Sequence, residues 1–237
     1  MPKTDYNKLR TKVLGIIEGL ALADPDYNEL RRLLTFCEGI HKNTRKDGSR
    51  EFSHQLEMIA FAITFHNQLT DPLSVYCAIL VHDVLEDYPE QRGAMLAEFP
   101  SVVDLSTRLS KWKDSSHDED KYYGYFASLV DCPVCSIVKL IDRVHNLSTA
   151  PGVFSVAKLR EYIKETENYY FGLIRECKLR YENRNVYENL KFILTTQVNT
   201  IQALLPVPEP YGTGAPAAPE VPASISSRKL DCNYDSL

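Results

Sequence analysis

The sequence lacks the features that carry a protein into a membrane or along an export pathway. Its longest apolar run, residues 75–81, is far shorter than the roughly 20 residues that a bilayer-spanning helix needs. Residues 1–5 (Met-Pro-Lys-Thr-Asp) contain no apolar signal core. We therefore expect this chain of 237 residues to be a cytoplasmic protein.

An excess of positive charge is also missing. The chain has 27 Lys and Arg against 32 Asp and Glu, which gives a formal net charge of −5. Proteins that hold nucleic acids electrostatically are usually basic overall or carry a dense basic stripe. The composition therefore argues against a general nucleic-acid binder.

The six cysteines are too few, in a chain of this length, for a disulfide framework. Cys132 and Cys135 form a CxxC pair, but the chain has no second pair at zinc-ribbon spacing. Small buried thiols are common in helical cores. We interpret all six cysteines as reduced thiols in a reducing compartment.

Strand-type alternation is scarce and two-residue hairpin signals are absent, whereas apolar residues repeat at helical spacing almost throughout. The pattern predicts an all-α fold, a compact bundle of about eight to ten helices. The first predicted helix ends at Asp24-Pro25. The others are predicted at 27–40, 53–68, 72–87, 92–98, 101–110, 118–130, 134–148, 154–180 and 184–204.

Six of the thirteen prolines fall between Pro206 and Pro222. Such a composition can neither form a helix nor bury a core. The sequence therefore predicts one domain over residues 1–205 and a disordered Pro/Ala-rich tail over 206–237.

Acids and a histidine concentrate at the end of predicted helix 72–87. His82 and Glu86 are four residues apart, as are Asp83 and Asp87, so each pair would stack on one helix face. Three acids and a histidine are costly to desolvate unless a positive charge sits among them. A divalent cation would supply that charge.

A complete metal site would need ligands from other helices. His54 begins helix 53–68, and Asp142 is a polar insertion among apolar neighbours in helix 134–148. With His82 and Asp83 they would offer two nitrogens and two carboxylates, a set that suits Mn²⁺ or another first-row ion better than structural zinc. The alternative is that His82-Asp83 merely closes a helix and Asp142 pairs with Arg143 at the surface.

Four ordered motifs carry a resemblance that favours the metal site. They are residues 45–48 (Arg-Lys-Asp-Gly) followed by His54, residues 78–87 (AILVHDVLED), residues 138–146 (VKLIDRVHN) and residues 164–166 (KET). The chain resembles, over about residues 37–180, the hydrolase domain of the RelA/SpoT family, part of the HD metal-dependent phosphohydrolase superfamily. It departs from the family pattern at Gln55, where the family has proline after the first metal histidine.

The resemblance implies roles for particular residues. His54, His82, Asp83 and Asp142 would hold one Mn²⁺ ion, and Glu86 and Asp87 would be the catalytic acids. The residues that would shape the nucleotide pocket are Arg45, Lys46, Asn146, Tyr162 and, as a phosphate contact, Lys113.

The resemblance also implies an activity, the hydrolysis of the 3′-pyrophosphate of the stringent-response alarmones ppGpp and pppGpp to GDP or GTP plus pyrophosphate. After about Leu205 the chain has only a tail, so we expect a stand-alone hydrolase without a synthetase. The oligomeric state is left open.

Several alternatives remain at this point. The substrate could be an adenosine alarmone, a tRNA 3′ end pyrophosphorylated by a toxic synthetase, or the 2′-phosphate of NADPH. The protein could instead act as an antitoxin that sequesters a toxic alarmone synthetase without catalysis. Another HD nucleotidase is a further alternative.

Overall fold

The computed structural model of the protein describes residues 5–111 and 119–206. Two predictions therefore lie outside the described residues. One is the phosphate contact assigned to Lys113, and the other is the disordered tail, of which Pro206 alone is described. The chain up to Leu205 forms one compact unit.

The described ranges are helical and contain no strand, apart from an isolated bridge between Thr44 and Arg50. The all-α prediction is confirmed. The α-helices in these ranges are α1 (Tyr6–Ala23), α2 (Tyr27–Ile40), α3 (Ser53–Ala62), α4 (Pro72–Val81), α5 (Val84–Asp87), α6 (Arg92–Glu98), α7 (Pro100–Leu109), α8 (Glu119–Val130), α9 (Pro133–Thr149), α10 (Val156–Glu165), α11 (Phe171–Arg180) and α12 (Arg184–Leu204). Shorter 3₁₀ segments span Ile63–Gln68 and Pro89–Gln91, and a π-helical turn spans Thr166–Tyr170.

Side-chain caps define where several of these helices begin. Asp5, Asp71 and Ser155 each accept a hydrogen bond from the backbone N–H three residues ahead, at the starts of α1, α4 and α10. Pro72 follows Asp71 at the first helical position, where a missing N–H costs nothing. The caps satisfy orphan donors of the first helical turn.

The apolar run 75–81 lies at the centre of the core. It forms most of α4, and all seven of its side chains are buried. Helix α4 packs against α2, α3, α7 and α9, which explains why its apolar residues surround the whole helix rather than one face. Among the described residues, no single helix is both long and apolar enough to cross a membrane; α8 and α9 pass such a test jointly but are bent by 117°.

The prediction of one continuous helix over 72–87 is wrong. Helix α4 ends at Val81, and α5 begins at Val84 after Asp83 adopts φ −117° and ψ −3°. Side chains contact carbonyl groups at the end of α4. The Ser106 hydroxyl donates to the Val81 carbonyl (2.7 Å), and His82 Nδ1 lies 2.8 Å from the Ile79 carbonyl oxygen. His82 and Asp83 therefore lie at a break between two helices, not on the face of one.

The predicted helix 154–180 is also interrupted. The π-helical turn Thr166–Tyr170 joins α10 to α11, and the Thr166 hydroxyl donates to the Tyr162 carbonyl. A π-turn inserts an extra residue into a helix and often marks a functional region. It separates Glu165 and Tyr170, which both contact Arg143 of α9.

Truncation of the α4 core should destabilise the protein strongly. Leu80 is fully buried, so Leu80→Ala should lower the free energy of unfolding by about 2–5 kcal/mol through lost burial and a residual cavity. The matched control is Leu22→Ala on α1, whose side chain is 91% exposed and whose loss should change stability by less than about 0.5 kcal/mol. Urea denaturation measures both, and equal effects would contradict the central position of α4.

Candidate metal centre

Three predicted metal ligands converge from three different helices. His54 is the second residue of α3, His82 directly follows α4, and Asp142 lies in the middle of α9. One ligand atom from each lies within 4.8 Å of the other two, and all three residues are buried. The mutual packing of α3, α4 and α9 creates this convergence.

His54 and Asp142 have the protonation states of metal ligands. Burial, the largest effect, lowers the pKa of His54 to about 3, so its imidazole is neutral. Burial would raise the pKa of Asp142, but the hydrogen bond with His54 (3.1 Å) and the charge of Lys139 hold it well below its usual value. Neutral imidazole and ionised carboxylate are the forms that bind cations. The donor set therefore fits a divalent ion.

Asp83 lies beside this group but has other partners. Its Oδ2 is 3.6 Å from His82 Nε2, whereas Oδ1 is 3.0 Å from His41 Nε2, and the Gln55 amide donates to both carboxylate oxygens (3.1 Å). Among the described residues, the group whose ligand atoms lie within 4.8 Å of one another does not include Asp83. Its role as a fourth ligand stays a prediction.

His41 and Gln55 both contact the Asp83 carboxylate, a role that the sequence did not predict. Burial would lower the pKa of His41, but its hydrogen bond with Asp83 and that carboxylate's charge raise it. Gln55 is fully buried, and a proline at this position would have no amide to donate to Asp83. The departure from the family pattern at residue 55 therefore alters the support of Asp83.

A chain of contacts also supports His54 from behind. His54 Nδ1 lies 3.0 Å from His145 Nδ1, and His145 Nε2 lies 2.6 Å from Glu57 Oε2. If His54 Nε2 held a cation, the His54 proton would sit on Nδ1. His54 Nδ1–H would then donate to His145, and His145 Nε2–H would donate to Glu57. Such partners orient a metal-ligating histidine and increase its basicity.

The sequence contained a signal for this chain of contacts. Glu57 follows His54 by three residues on α3, and His145 follows Asp142 by three residues on α9, so each lies on the same helix face as a candidate ligand. The spacing alone does not show that the two helices face each other.

The predicted catalytic acids lie on the short helix α5. Glu86 is half-buried, and its Oε2 accepts a hydrogen bond from the Lys111 backbone N–H at 2.7 Å. Its charge acts on Lys139, whose Nζ is 3.7 Å from Asp142 Oδ2. Asp87 is exposed. Glu86 is therefore held at the edge of the metal centre.

Four of the five predicted substrate residues line one cavity. It has a volume of about 260 Å³, and its lining includes Arg45, Lys46, Asn146 and Tyr162. The Asn146 amide also donates to Asp142 Oδ1 at 2.7 Å, which connects the cavity to the candidate metal ligands. The structure thus brings the basic loop and the metal centre together.

The same cavity contains aromatic surface. Phe154 packs against Tyr162, with ring centroids 5.3 Å apart, and Lys46 Nζ lies 5.1 Å from the centre of the Phe154 ring. Cations and aromatic faces on one wall suit a ligand that has both phosphates and a planar base.

A second group of charges borders the metal centre and was not predicted. Glu165 pairs with Arg143 (2.7 Å) and Lys111 (3.2 Å). The Lys139 side chain, 11% exposed, lies beside Asp142. Nε and Nη1 of Arg143 are buried and have no hydrogen-bond partner within the described part of the chain. Arg143 is thus not a surface partner of Asp142, so that part of the alternative interpretation is wrong, whereas His82 and Asp83 do lie where α4 ends.

Comparisons with known proteins agree with the geometry. No protein-family model matches the chain. It is 28% identical over 150 residues to a probable guanosine-3′,5′-bis(diphosphate) 3′-pyrophosphohydrolase of Synechocystis sp., covering 60% of this chain and 19% of that protein. Two further relatives are named guanosine-3′,5′-bis(diphosphate) 3′-pyrophosphohydrolase. The one from Haemophilus influenzae is 30% identical over 159 residues, which cover 62% of this chain and 22% of that protein. The one from Aquifex aeolicus is 27% identical over 150 residues, which cover 61% of this chain and 21% of that protein.

These matches confirm the resemblance to RelA/SpoT-type hydrolases that the motifs indicated. The chain spans about a fifth of the length of the curated relatives it matches.

The contact chain behind His54 should affect metal affinity. Glu57→Gln removes the charge that holds His145, so Mn²⁺ should bind about tenfold more weakly, at the low end of such outer-shell effects. The matched control is Glu18→Gln at an exposed position on α1, which should leave the affinity unchanged. Mn²⁺ titration followed by electron paramagnetic resonance measures both, and equal dissociation constants would refute the role of Glu57.

Proposed function

We propose that the protein hydrolyses the 3′-pyrophosphate of the guanosine alarmones ppGpp and pppGpp, giving GDP or GTP and pyrophosphate. One observation carries the proposal. The buried group His54, His82 and Asp142 is joined through Asn146 to a cavity lined by Arg45 and Lys46. The names of the three relatives support the same substrate.

The proposed cofactor is one Mn²⁺ ion held by His54, His82, Asp142 and Asp83. Two imidazole nitrogens and two carboxylates suit such a borderline ion. When bound, the ion would act as a Lewis acid that lowers the pKa of a water molecule and polarises a phosphoryl oxygen. Asp83 would have to exchange part of its bonding to His41 and Gln55 for the cation.

Glu86 and Asp87 of α5 would carry out the proton transfers of the reaction. Glu86 Oε2 is engaged by the Lys111 amide, so Glu86 Oε1 is the atom that would orient the attacking water and accept its proton. Asp87, one residue further and exposed, would then donate a proton to the departing 3′-oxygen. In this assignment the two acids have different roles because one is fixed and half-buried and the other faces solvent.

The cavity would hold the nucleotide. Arg45 and Lys46 would pair with phosphate oxygens, Phe154 and Tyr162 would pack against the purine, and Asn146 would stand between substrate and metal ligands. Lys113 remains a proposed phosphate contact from the sequence.

The charges behind the metal centre would favour departure of pyrophosphate. Lys139, Lys111 and Arg143 lie around Asp142 and Glu165. Two guanidinium nitrogens of Arg143 have no hydrogen-bond partner within the described residues, although the guanidinium lies over the rings of Tyr162 and Tyr170. Cations preorganised in a poorly hydrated site stabilise charge that builds up on phosphoryl oxygens in the transition state.

The direct test is an assay of purified protein with Mn²⁺ and ppGpp, with products separated by anion exchange. The wild type should release GDP and pyrophosphate, whereas Asp142→Asn should lower kcat at least about 100-fold because it weakens the buried anionic ligand. The matched control is Asp104→Asn at an exposed position on α7, which should keep wild-type activity.

Failure of a folded, Mn²⁺-binding wild-type protein to release GDP from ppGpp would refute the substrate assignment. Parallel assays with ppApp, pyrophosphorylated tRNA and NADPH would identify the alternative substrate. Binding of a toxic alarmone synthetase without turnover of any of these would instead support sequestration.

The basic loop should contribute to substrate affinity rather than to the chemical step. Lys46→Ala should raise KM for ppGpp about tenfold, the effect of losing one charge-assisted contact to phosphate, with little change in kcat. Lys12→Ala, at an exposed position on α1, is the matched control. Initial rates over a range of ppGpp concentrations separate the two constants, and an unchanged KM would show that Lys46 does not contact the substrate.

A further inference from the structure

The CxxC pair has an arrangement that the proposed hydrolysis does not use. Cys132 is the N-cap of α9 in an extended conformation, with φ −132° and ψ 104°, and Cys135 lies in the first turn. The Cys135 backbone N–H donates to Cys132 Sγ at 3.3 Å. Residues three apart in such a turn have Cα atoms about 5–6 Å apart, within the range that a disulfide spans.

The two thiols differ in exposure and in acidity. Cys132 is partly exposed, whereas Cys135 is fully buried. A hydrogen bond from the Cys135 thiol, the largest effect, lowers the pKa of Cys132 to about 6 against the opposing effect of burial, with the Cys135 backbone N–H and the charge of Arg108 assisting. The same pairing and burial raise the pKa of Cys135.

The other described cysteines provide a contrast. Cys37, Cys77 and Cys177 are buried, and burial raises the pKa of each. Buried neutral thiols are poor nucleophiles, whereas a partly exposed thiolate at a helix N-terminus is a reactive one. Within the described residues, the combination of access, low pKa and a neighbouring thiol belongs to Cys132.

We propose that Cys132 and Cys135 form a redox-active dithiol, which closes to an intrachain disulfide by exchange with a low-molecular-weight disulfide such as oxidised glutathione. This inference is independent of the proposed hydrolysis. It modifies the sequence-based interpretation of six reduced thiols, because two of them would form a disulfide under oxidising conditions.

The exchange is balanced in two steps. The Cys132 thiolate attacks one sulfur of oxidised glutathione, forms a mixed disulfide and releases one glutathione thiolate. Cys135 then loses its proton and attacks Cys132 Sγ, which forms the intrachain bond and releases the second glutathione. Counted from the protonated dithiol, the protein loses two electrons and two protons, and the two glutathione molecules leave as thiols.

The test is a redox titration of the full chain in buffers of reduced and oxidised glutathione, quenched with acid, alkylated under denaturing conditions and mapped by mass spectrometry. We expect a species that carries two fewer alkyl groups than the fully reduced protein, with a disulfide between Cys132 and Cys135, while Cys37, Cys77 and Cys177 are alkylated. The measurement is repeated with Cys232→Ser, because Cys232 lies outside the described residues.

Single variants separate the two roles. Cys135→Ser should accumulate the mixed disulfide on Cys132, because the resolving thiol is missing, and Cys132→Ser should accumulate none on Cys135. An intact, folded protein that forms no Cys132–Cys135 bond in the most oxidising buffer would overturn the proposal, as would preferred pairing of Cys132 with any other cysteine.

The pH dependence of Cys132 alkylation is an independent readout. The groups that surround the thiol are Arg108 and Asp104 on α7, Tyr181 after α11, and Cys135 itself. The rate should rise with a midpoint near pH 6, and Cys135→Ala, which lacks a donor, should move the midpoint upward while Cys135→Ser largely preserves it. A midpoint near the ordinary thiol value of about 8.5 in the wild type would overturn the assignment of Cys132 as the attacking thiol.

Discussion

The structure depends on the buried charge of Asp142. A carboxylate placed among packed helices is strongly destabilising unless other groups compensate it. Three contacts do so here, from His54 on α3, from Asn146 one turn along α9, and from Lys139 on the same helix. The His54 contact fixes how α3 faces α9, and the three contacts together leave an anionic oxygen beside the neutral imidazole of His54. The constraint on packing is therefore also what makes the site suitable for a cation.

Most helices and the three converging residues of the candidate metal site could be predicted from the sequence, because short sequence patterns determine them. Apolar spacing, caps and prolines predicted the bounds of most helices to within a few residues, and the ordered motifs identified His54, His82 and Asp142 as neighbours. Three predicted helices are not continuous α-helices: 53–68 ends in a 3₁₀ segment, 72–87 breaks after Val81, and 154–180 contains a π-helical turn. For the last two, the reasons lie elsewhere in the chain. The break after Val81 is stabilised by Ser106, and the turn beginning at Thr166 brings Glu165 and Tyr170 to Arg143.

The contacts that orient the candidate ligands could not be predicted, because they join helices that are far apart in the sequence. Glu57 and His145 are 88 residues apart, and their contact exists because α3 and α9 pack face to face. Arg143 has a sequence position typical of a surface partner for Asp142, yet the packing buries it against Tyr170 and Glu165. Motif spacing identifies the residues that meet a ligand, whereas the residues that orient them depend on tertiary packing.

Asp83 illustrates how one such contact changes the chemistry of a site. Its carboxylate has both oxygens engaged by the Gln55 amide and one engaged by His41, at a position beside His82 rather than among the three converging ligands. Burial alone would raise the pKa of Asp83, but the electrostatic interaction with His82 and the hydrogen bond with His41 lower it, so the group is anionic. A cation recruiting Asp83 must compete with two hydrogen-bond donors, and a proline at residue 55 would remove one of them. Residue 55 would therefore govern how readily Asp83, the proposed fourth ligand, could turn from its hydrogen bonds to a cation.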